Sequence, residues 1–254
     1  MGRLREDLER LAERADRRDV LRLLAGASLL PFLGCSSDAA GQSGQCARIP
    51  EETAGPYPGD GSNGPNALAL SGIVRSDIRS SIAGATGVAT GVPLTLTLTL
   101  VNVAASCAPL AGAAVYVWHC DALGRYSLYS SGATGQNWLR GVQQSDASGR
   151  VTFASIFPGC YPGRWPHIHV EVYPTAAAAT ASGARLATTQ IALPQASCAE
   201  VYATGGYTGS AANLAQISLA TDSVFSDGVT YELASATGSV AAGYGMTLTV
   251  GVQG

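Results

Sequence analysis

Residues 92–103 read VPLTLTLTLVNV, from Val92 to Val103. Leu94, Leu96, Leu98 and Leu100 alternate with Thr95, Thr97 and Thr99. Successive side chains on a strand point to opposite faces, so this period of two predicts one buried leucine face and one wetter threonine face. Working outward, Ala113–Trp118 (AAVYVW), Gly149–Phe157, Ile168–Tyr173 and Met246–Val252 (MTLTVGV) are further strand candidates. Turns rich in Gly and Asp separate them, such as Asp146-Ala147-Ser148-Gly149. Past the N-terminal region, only Tyr173–Arg185 and Ala211–Leu219 look helical, and no internal repeat is present. The pattern predicts an all-β chain, a single β-sandwich domain with long loops.

Composition narrows the function. The chain has 254 residues, with 31 Gly, 12 Pro and only 13% charged residues. All 15 cationic residues are Arg, which excludes a lysine nucleophile, a Schiff-base enzyme and a P-loop. A formal charge of −3 with no basic run beyond the N-terminus argues against nucleic acid as a partner. The three histidines are His119, His167 and His169, so a four-His metal site is impossible.

Seven of the arginines fall in residues 1–34, ahead of or at the edge of the apolar stretch Leu23–Leu33. That stretch is short for a membrane span and reads as a cleavable signal segment. Arg17-Arg18 resembles a twin-arginine export signal. Phe32-Leu33-Gly34-Cys35 resembles a lipoprotein cleavage box, which makes Cys35 a candidate lipid anchor. Residues 35–49 form a polar tether and 50–254 the folded domain. From Cys35 onward there are 8 Arg against 12 Asp and Glu, a formal charge of −4. The expected location is outside the cytoplasm, at the cell surface, secreted or periplasmic. With Cys35 lipidated, the other five cysteines (Cys46, Cys107, Cys120, Cys160 and Cys198) predict two disulfides and one free thiol, with no pairing readable from spacing.

His167-Ile168-His169 carries the chemistry. Residues i and i+2 of a strand share a face, so two of the three imidazoles aim at one point. Glu171 continues that face, which leaves a 2-His-1-carboxylate Fe(II) or zinc site open. The alternative donors are Tyr161, on a Gly/Pro-rich turn, and Tyr126, just past a strand. Phenolate is a hard anionic ligand that suits Fe(III) better than Zn(II).

The sequence resembles the intradiol ring-cleavage dioxygenases, relatives of catechol and protocatechuate 3,4-dioxygenases, and most of all their secreted single-domain members. The blocks are PEETAGPY (Pro50–Tyr57), LSGIV (Leu70–Val74), PLAGAAVYVWHCDALGRYS (Pro109–Ser127), LRGVQQSDASGRVTFASIFPGCYPGR (Leu139–Arg164), WPHIHV (Trp165–Val170) and TTQI (Thr188–Ile191). The resemblance implies a non-haem Fe(III) held by Tyr126, Tyr161, His167 and His169, with Tyr161 the tyrosinate released when substrate arrives. It further implies that Arg164 and Gln190 are active-site residues and that Pro56 and Tyr57 line the substrate pocket. The implied reaction opens a catechol-type ring between its hydroxyl-bearing carbons with O2, giving cis,cis-muconate-type products. Its partners are then a small aromatic diol and O2.

The sequence departs from the family in three places: Trp165 where Pro or a small residue is usual, Tyr116 where an acid is frequent, and an Ala-rich insertion, Thr175–Arg185. The helical dimerisation segment of cytoplasmic relatives is missing, which predicts a monomer or weak oligomer. Trp118 reads as core, and His119 as structural. The competing reading is an exported β-sandwich that binds carbohydrate or protein without catalysis.

Overall fold

A computed structural model of the chain describes residues 46–181 and 183–254. The expected leader, most of the tether and Cys35 lie outside the described residues. Among the described residues, nine strands form two sheets. In the first, β1 (Pro93–Asn102) pairs antiparallel with β2 (Ala108–Pro109) and β5 (Arg150–Ile156) and parallel with β9 (Gly243–Val252). Strand β8 (Ser235–Ser239) closes that sheet against β9. The second sheet is antiparallel, in the order β4 (Arg140–Gln144), β3 (Ala114–Trp118), β6 (His167–Tyr173), β7 (Ala187–Ala192).

The alternation in β1 does what its period predicts. Leu94, Leu96, Leu98 and Leu100 are all buried, while the threonines between them are exposed or half-buried. These leucines pack with Val115 and Val117 of β3, Val151 and Phe153 of β5, Ile168, Val170 and Val172 of β6, and Met246 and Val250 of β9. The core therefore lies between the two sheets. The expected strands at 113–118, 149–157, 168–173 and 246–252 all form, within a few residues of their expected ends.

Strand β6 is buried along its whole length. Its aliphatic side chains fill the inter-sheet core, so His167, His169, Glu171 and Tyr173 project from the opposite face. That face would be wet in a bare sandwich. Here the loops cover it with Ala67, Leu68, Ile73 and Tyr126, which pack on Tyr116 and Trp118 of β3. Long loops thus create a second, smaller core, and the site lies inside it.

Helices are few. α1 (Ala176–Thr180) forms within the Ala-rich insertion, and α3 (Ser210–Leu214) overlaps the second expected stretch. The structure adds α2 (Gln195–Tyr202), which shows no strong apolar stripe and seats Cys198, Val201 and Tyr202 against the core.

The cysteine expectation needs correction. Among the described residues there is one disulfide, Cys46–Cys107, which ties the start of the domain to the bend after β1. Cys120, Cys160 and Cys198 are all free and buried. Each serves as a small core residue. The Cys120 thiol donates to the Gly159 carbonyl at 3.4 Å and the Cys160 thiol to the Arg164 carbonyl at 3.5 Å. Burial pushes all three thiols up, Cys160 to about 12.

Candidate active site

The four metal-binding candidates arrive on three different segments. Strand β6 supplies His167 and His169. Tyr161 follows β5 on the turn 157–164, and Tyr126 follows β3 on the loop 119–130. Two glycines let these segments close up. Gly124 has φ +77°, and a Cβ there would stand 2.9 Å from Cβ of Tyr161. Gly55 has φ +67°, and a Cβ there would press on Cε1 of His169 at 3.2 Å. The strap 52–57 therefore lies directly over the histidine.

Four donor atoms converge. Nε2 of His167 is 3.1 Å from Nε2 of His169, 3.2 Å from the Tyr161 hydroxyl and 3.3 Å from the Tyr126 hydroxyl. The tautomer of His167 follows from its other nitrogen. Nδ1 lies 2.6 Å from the Trp165 carbonyl, which only accepts, so Nδ1 carries the proton and Nε2 the lone pair. Burial pushes His167 down to about 3 and His169 well below its ordinary value, and the Arg164 charge lowers both further, while Asp222 partly offsets this at His167. Both imidazoles are neutral at physiological pH and free to ligate. Burial raises both phenols, Tyr161 to about 12 and Tyr126 well above its ordinary value. They stay protonated until a strong Lewis acid claims them.

The donor set fits ferric ion. Two neutral imidazole nitrogens and two phenol oxygens crowd one point, with both hydroxyl groups within hydrogen-bond distance of Nε2 of His167. Nδ1 of His169 is buried with no hydrogen-bond partner. The ring is held instead by stacking on Trp118, with centroids 4.7 Å apart and planes 4° off parallel. Trp118 and His169 are direct cross-strand neighbours, so sheet register makes this stack. Glu171 shares the face, but its carboxylate takes the Tyr173 hydroxyl at 2.6 Å and the Arg185 guanidinium. The 2-His-1-carboxylate alternative loses its third ligand there. Among the described residues, no three His, Cys, Asp or Glu side chains gather as metal ligands.

Arg164 and Gln190 meet beside this centre. Nη2 of Arg164 donates to Oε1 of Gln190 at 2.7 Å, and Nε2 of Gln190 donates to the Thr53 carbonyl at 2.8 Å. Gln190 pairs with His169 across β6 and β7, so the insertion at 175–185 has not displaced it. The Tyr57 ring lies against Tyr126 at 4.9 Å and Tyr129 at 5.2 Å, covering the phenol. Pro56 stands exposed, and its carbonyl accepts from Asn63. His119 is structural: buried, it bonds the Ser155 hydroxyl at 2.7 Å and the Cys120 carbonyl at 2.8 Å. Trp165 is buried with Ala192, Val224 and Phe225, and its indole N–H donates to the Leu193 carbonyl.

Two residues of the site were not singled out by sequence. Asp222, fully buried, accepts from Nε of Arg164 at 2.9 Å and from the Trp165 amide at 2.7 Å. Its other oxygen caps the amides of Val224 and Phe225. Burial alone would raise its carboxyl, but Arg164 and these amides bring it below its ordinary value. Arg140, 1% exposed, sends its guanidinium into a cage of oxygens: the carbonyls of Tyr57, Pro58 and Ser127 and the hydroxyls of Ser127 and Tyr116. It locks the strap to the segment that carries Tyr126.

The comparisons with known proteins point to dioxygenases. The family model Dioxygenase_C, described as Dioxygenase, matches residues 74–195, a span that contains Tyr126, Tyr161, Arg164, His167, His169 and Gln190. Among solved structures, the chain is similar to an intradiol ring-cleavage dioxygenase from Tetranychus urticae, 25% identical with a TM-score of 0.59, over 82% of this chain and 94% of that one. It shares its fold with the dioxygenase domain of a dioxygenase carbohydrate-binding protein fusion from Streptomyces sp. SirexAA-E, at 22% identity, TM-score 0.50 and coverage of 81% and 97%. It likewise shares its fold with 3-chlorocatechol 1,2-dioxygenase from Rhodococcus opacus 1CP, at 18% identity, TM-score 0.51 and coverage of 80% and 72%. No curated protein sequence matches the chain. The family match spans every candidate donor and the fold is shared along most of the domain, so the chain is similar to the intradiol ring-cleaving dioxygenases.

Proposed function

We propose that the chain is an exported non-haem Fe(III) dioxygenase that opens catechol-type rings between the two hydroxyl-bearing carbons. The observation that carries this reading is the convergence of two phenol oxygens and Nε2 of His169 on Nε2 of His167, each within 3.1–3.3 Å of it. Tyr126, Tyr161, His167 and His169 would hold the iron. Ferric ion, when bound, supplies the Lewis acidity that draws both protons from a catechol and the electronic coupling through which the diolate reacts with O2. Both oxygen atoms end in the product, a cis,cis-muconate-type diacid.

The chain's own residues do the rest. Tyr161 is the less buried of the two phenols, so it is the one placed to take a substrate proton on its oxygen. Arg164, fixed by Asp222 and Gln190, offers a preorganised donor at the edge of the ligand set. Tyr57 and the strap keep bulk water from Tyr126. Export rests on the twin-arginine pattern at Arg17-Arg18, and a lipid anchor on Cys35. A twin-arginine route carries folded proteins, so iron would be loaded before export.

Oxygen uptake with catechol, followed by product identification, tests the reading. Stoichiometric O2 consumption with a muconate-type product is expected. Tyr161→Phe should retain metal but slow turnover by about tenfold or more. A product cleaved outside the diol would contradict the intradiol assignment.

A further inference from the structure

Deepening the function proposed above and resting on it, we propose that this site selects catechols whose ring substituents are uncharged. It would discriminate against carboxylated ones such as 3,4-dihydroxybenzoate. A substrate carboxylate entering a buried site needs a cation or several donors to replace its water. Arg164 is the guanidinium nearest the ligand set, and it is already committed. Its Nε binds Asp222, its Nη2 binds Gln190, and its plane lies over the Phe225 ring at 5.9 Å. Asp222 is 0% exposed and Arg164 16% exposed, so the pair is shielded from solvent and counts as neutral toward a ligand.

The other described arginines around the site are equally taken. Arg140 is enclosed by protein oxygens behind the strap. Arg185 bridges Glu171 and Asp60, and Arg125 pairs with Asp121. The charges left over are negative. Glu52, beside Thr53 on the strap, and Asp227, two residues past Phe225, both act on this region. Burial first, and then the charge of Asp227, push the Glu52 carboxyl up, while Arg164 pulls it down. The buried Glu232 is pushed up to about 8, by burial and then by Glu52 and Asp227, so it adds little charge at neutral pH. One committed cation thus faces Asp222, Asp227 and Glu52. A substrate carboxylate would arrive as a further anion with no uncommitted positive charge among the described arginines around the site to meet it.

The matched pair 3,4-dihydroxybenzoate and 3,4-dihydroxybenzamide isolates charge from size. The amide withdraws electrons from the ring more strongly than the carboxylate, so ring electronics alone would favour the acid. With iron-loaded enzyme and catechol as the positive control, kcat/KM for the amide is expected to exceed that for the acid by at least about tenfold. Anaerobic equilibrium titration should give the same order of affinities. Glu52→Gln combined with Asp227→Asn should narrow the ratio by about threefold or more. An acid cleaved and bound as well as the amide, or a ratio untouched by the double variant, overturns the inference while leaving ring cleavage standing. An enzyme that cleaves neither compound nor catechol overturns the underlying function, and the inference with it.

Discussion

Replacing His169 with alanine is expected to empty the centre without unfolding the domain. The ring is held by stacking on Trp118 and by its neighbours at the ligand set, and its Nδ1 satisfies no protein group. Truncation therefore leaves no hydrogen-bonding partner stranded elsewhere, and the sandwich core is untouched, because His169 points away from it. What goes is one of only two nitrogen donors. Removing a group that merely orients a ligand costs about 10–100-fold in metal affinity, so loss of a ligand should cost at least about a hundredfold. Metal analysis after dialysis should find the variant depleted and catechol cleavage down by a similar factor, with far-UV circular dichroism unchanged. Full iron retention would remove His169 from the ligand set.

Arg140→Met should produce the largest loss of stability. Arg140 donates five hydrogen bonds to segments far apart in sequence: Tyr57 on the strap and Pro58 just after it, Tyr116 on β3, and Ser127 beside Tyr126. No carboxylate shares the charge. Carbonyl and hydroxyl dipoles do so collectively, and Tyr129 adds a ring face at 5.6 Å. Methionine fills much of the volume but takes a charge-assisted bond from three carbonyls, of which only that of Pro58 keeps a second donor, the Tyr116 hydroxyl. Relief of guanidinium desolvation offsets part of that, leaving a net cost of about 4 kcal/mol. For a domain of this size the melting temperature should fall by roughly 10 °C. Lysine should recover a minority of the loss, because one ammonium has three donors and no planar fork. A melting temperature within about 2 °C of the parent would show that the cage contributes little.

Tyr116 explains why this arginine stands without an acid. Here a fully buried phenol stacks on Trp118 at 4.9 Å and donates to the Pro58 carbonyl while accepting from Arg140.

The fold was legible wherever one face of a strand is dry and the other wet. Strand β1 obeys that rule and was read almost to the residue. Strands β4 (RGVQQ) and β7 (ATTQIA) were missed because their buried residues include Arg140, Thr189 and Gln190. Polar side chains buried by a site, and not by the sandwich core, break the hydropathy pattern that announces a strand. The donors His167, His169, Tyr126 and Tyr161 were legible as chemistry, and the structure brings all four together. Glu171 was legible as a face-mate of the histidines, but its engagement by Arg185 and Tyr173 depends on a return of the chain that spacing does not encode. Asp222 left no local mark, since it is one of 18 acidic residues and its partners are an arginine 58 positions away and three backbone amides. The cysteines misled because export favours disulfides, whereas Cys120, Cys160 and Cys198 serve as core residues.

The visible absorption spectrum of the purified, iron-loaded protein, taken with its metal content, tests the central assignment most directly. Two tyrosinates on one ferric ion should give about one iron per chain and a broad charge-transfer band that colours the solution burgundy, and the band should shift or weaken in Tyr161→Phe. A colourless protein holding stoichiometric zinc would contradict it.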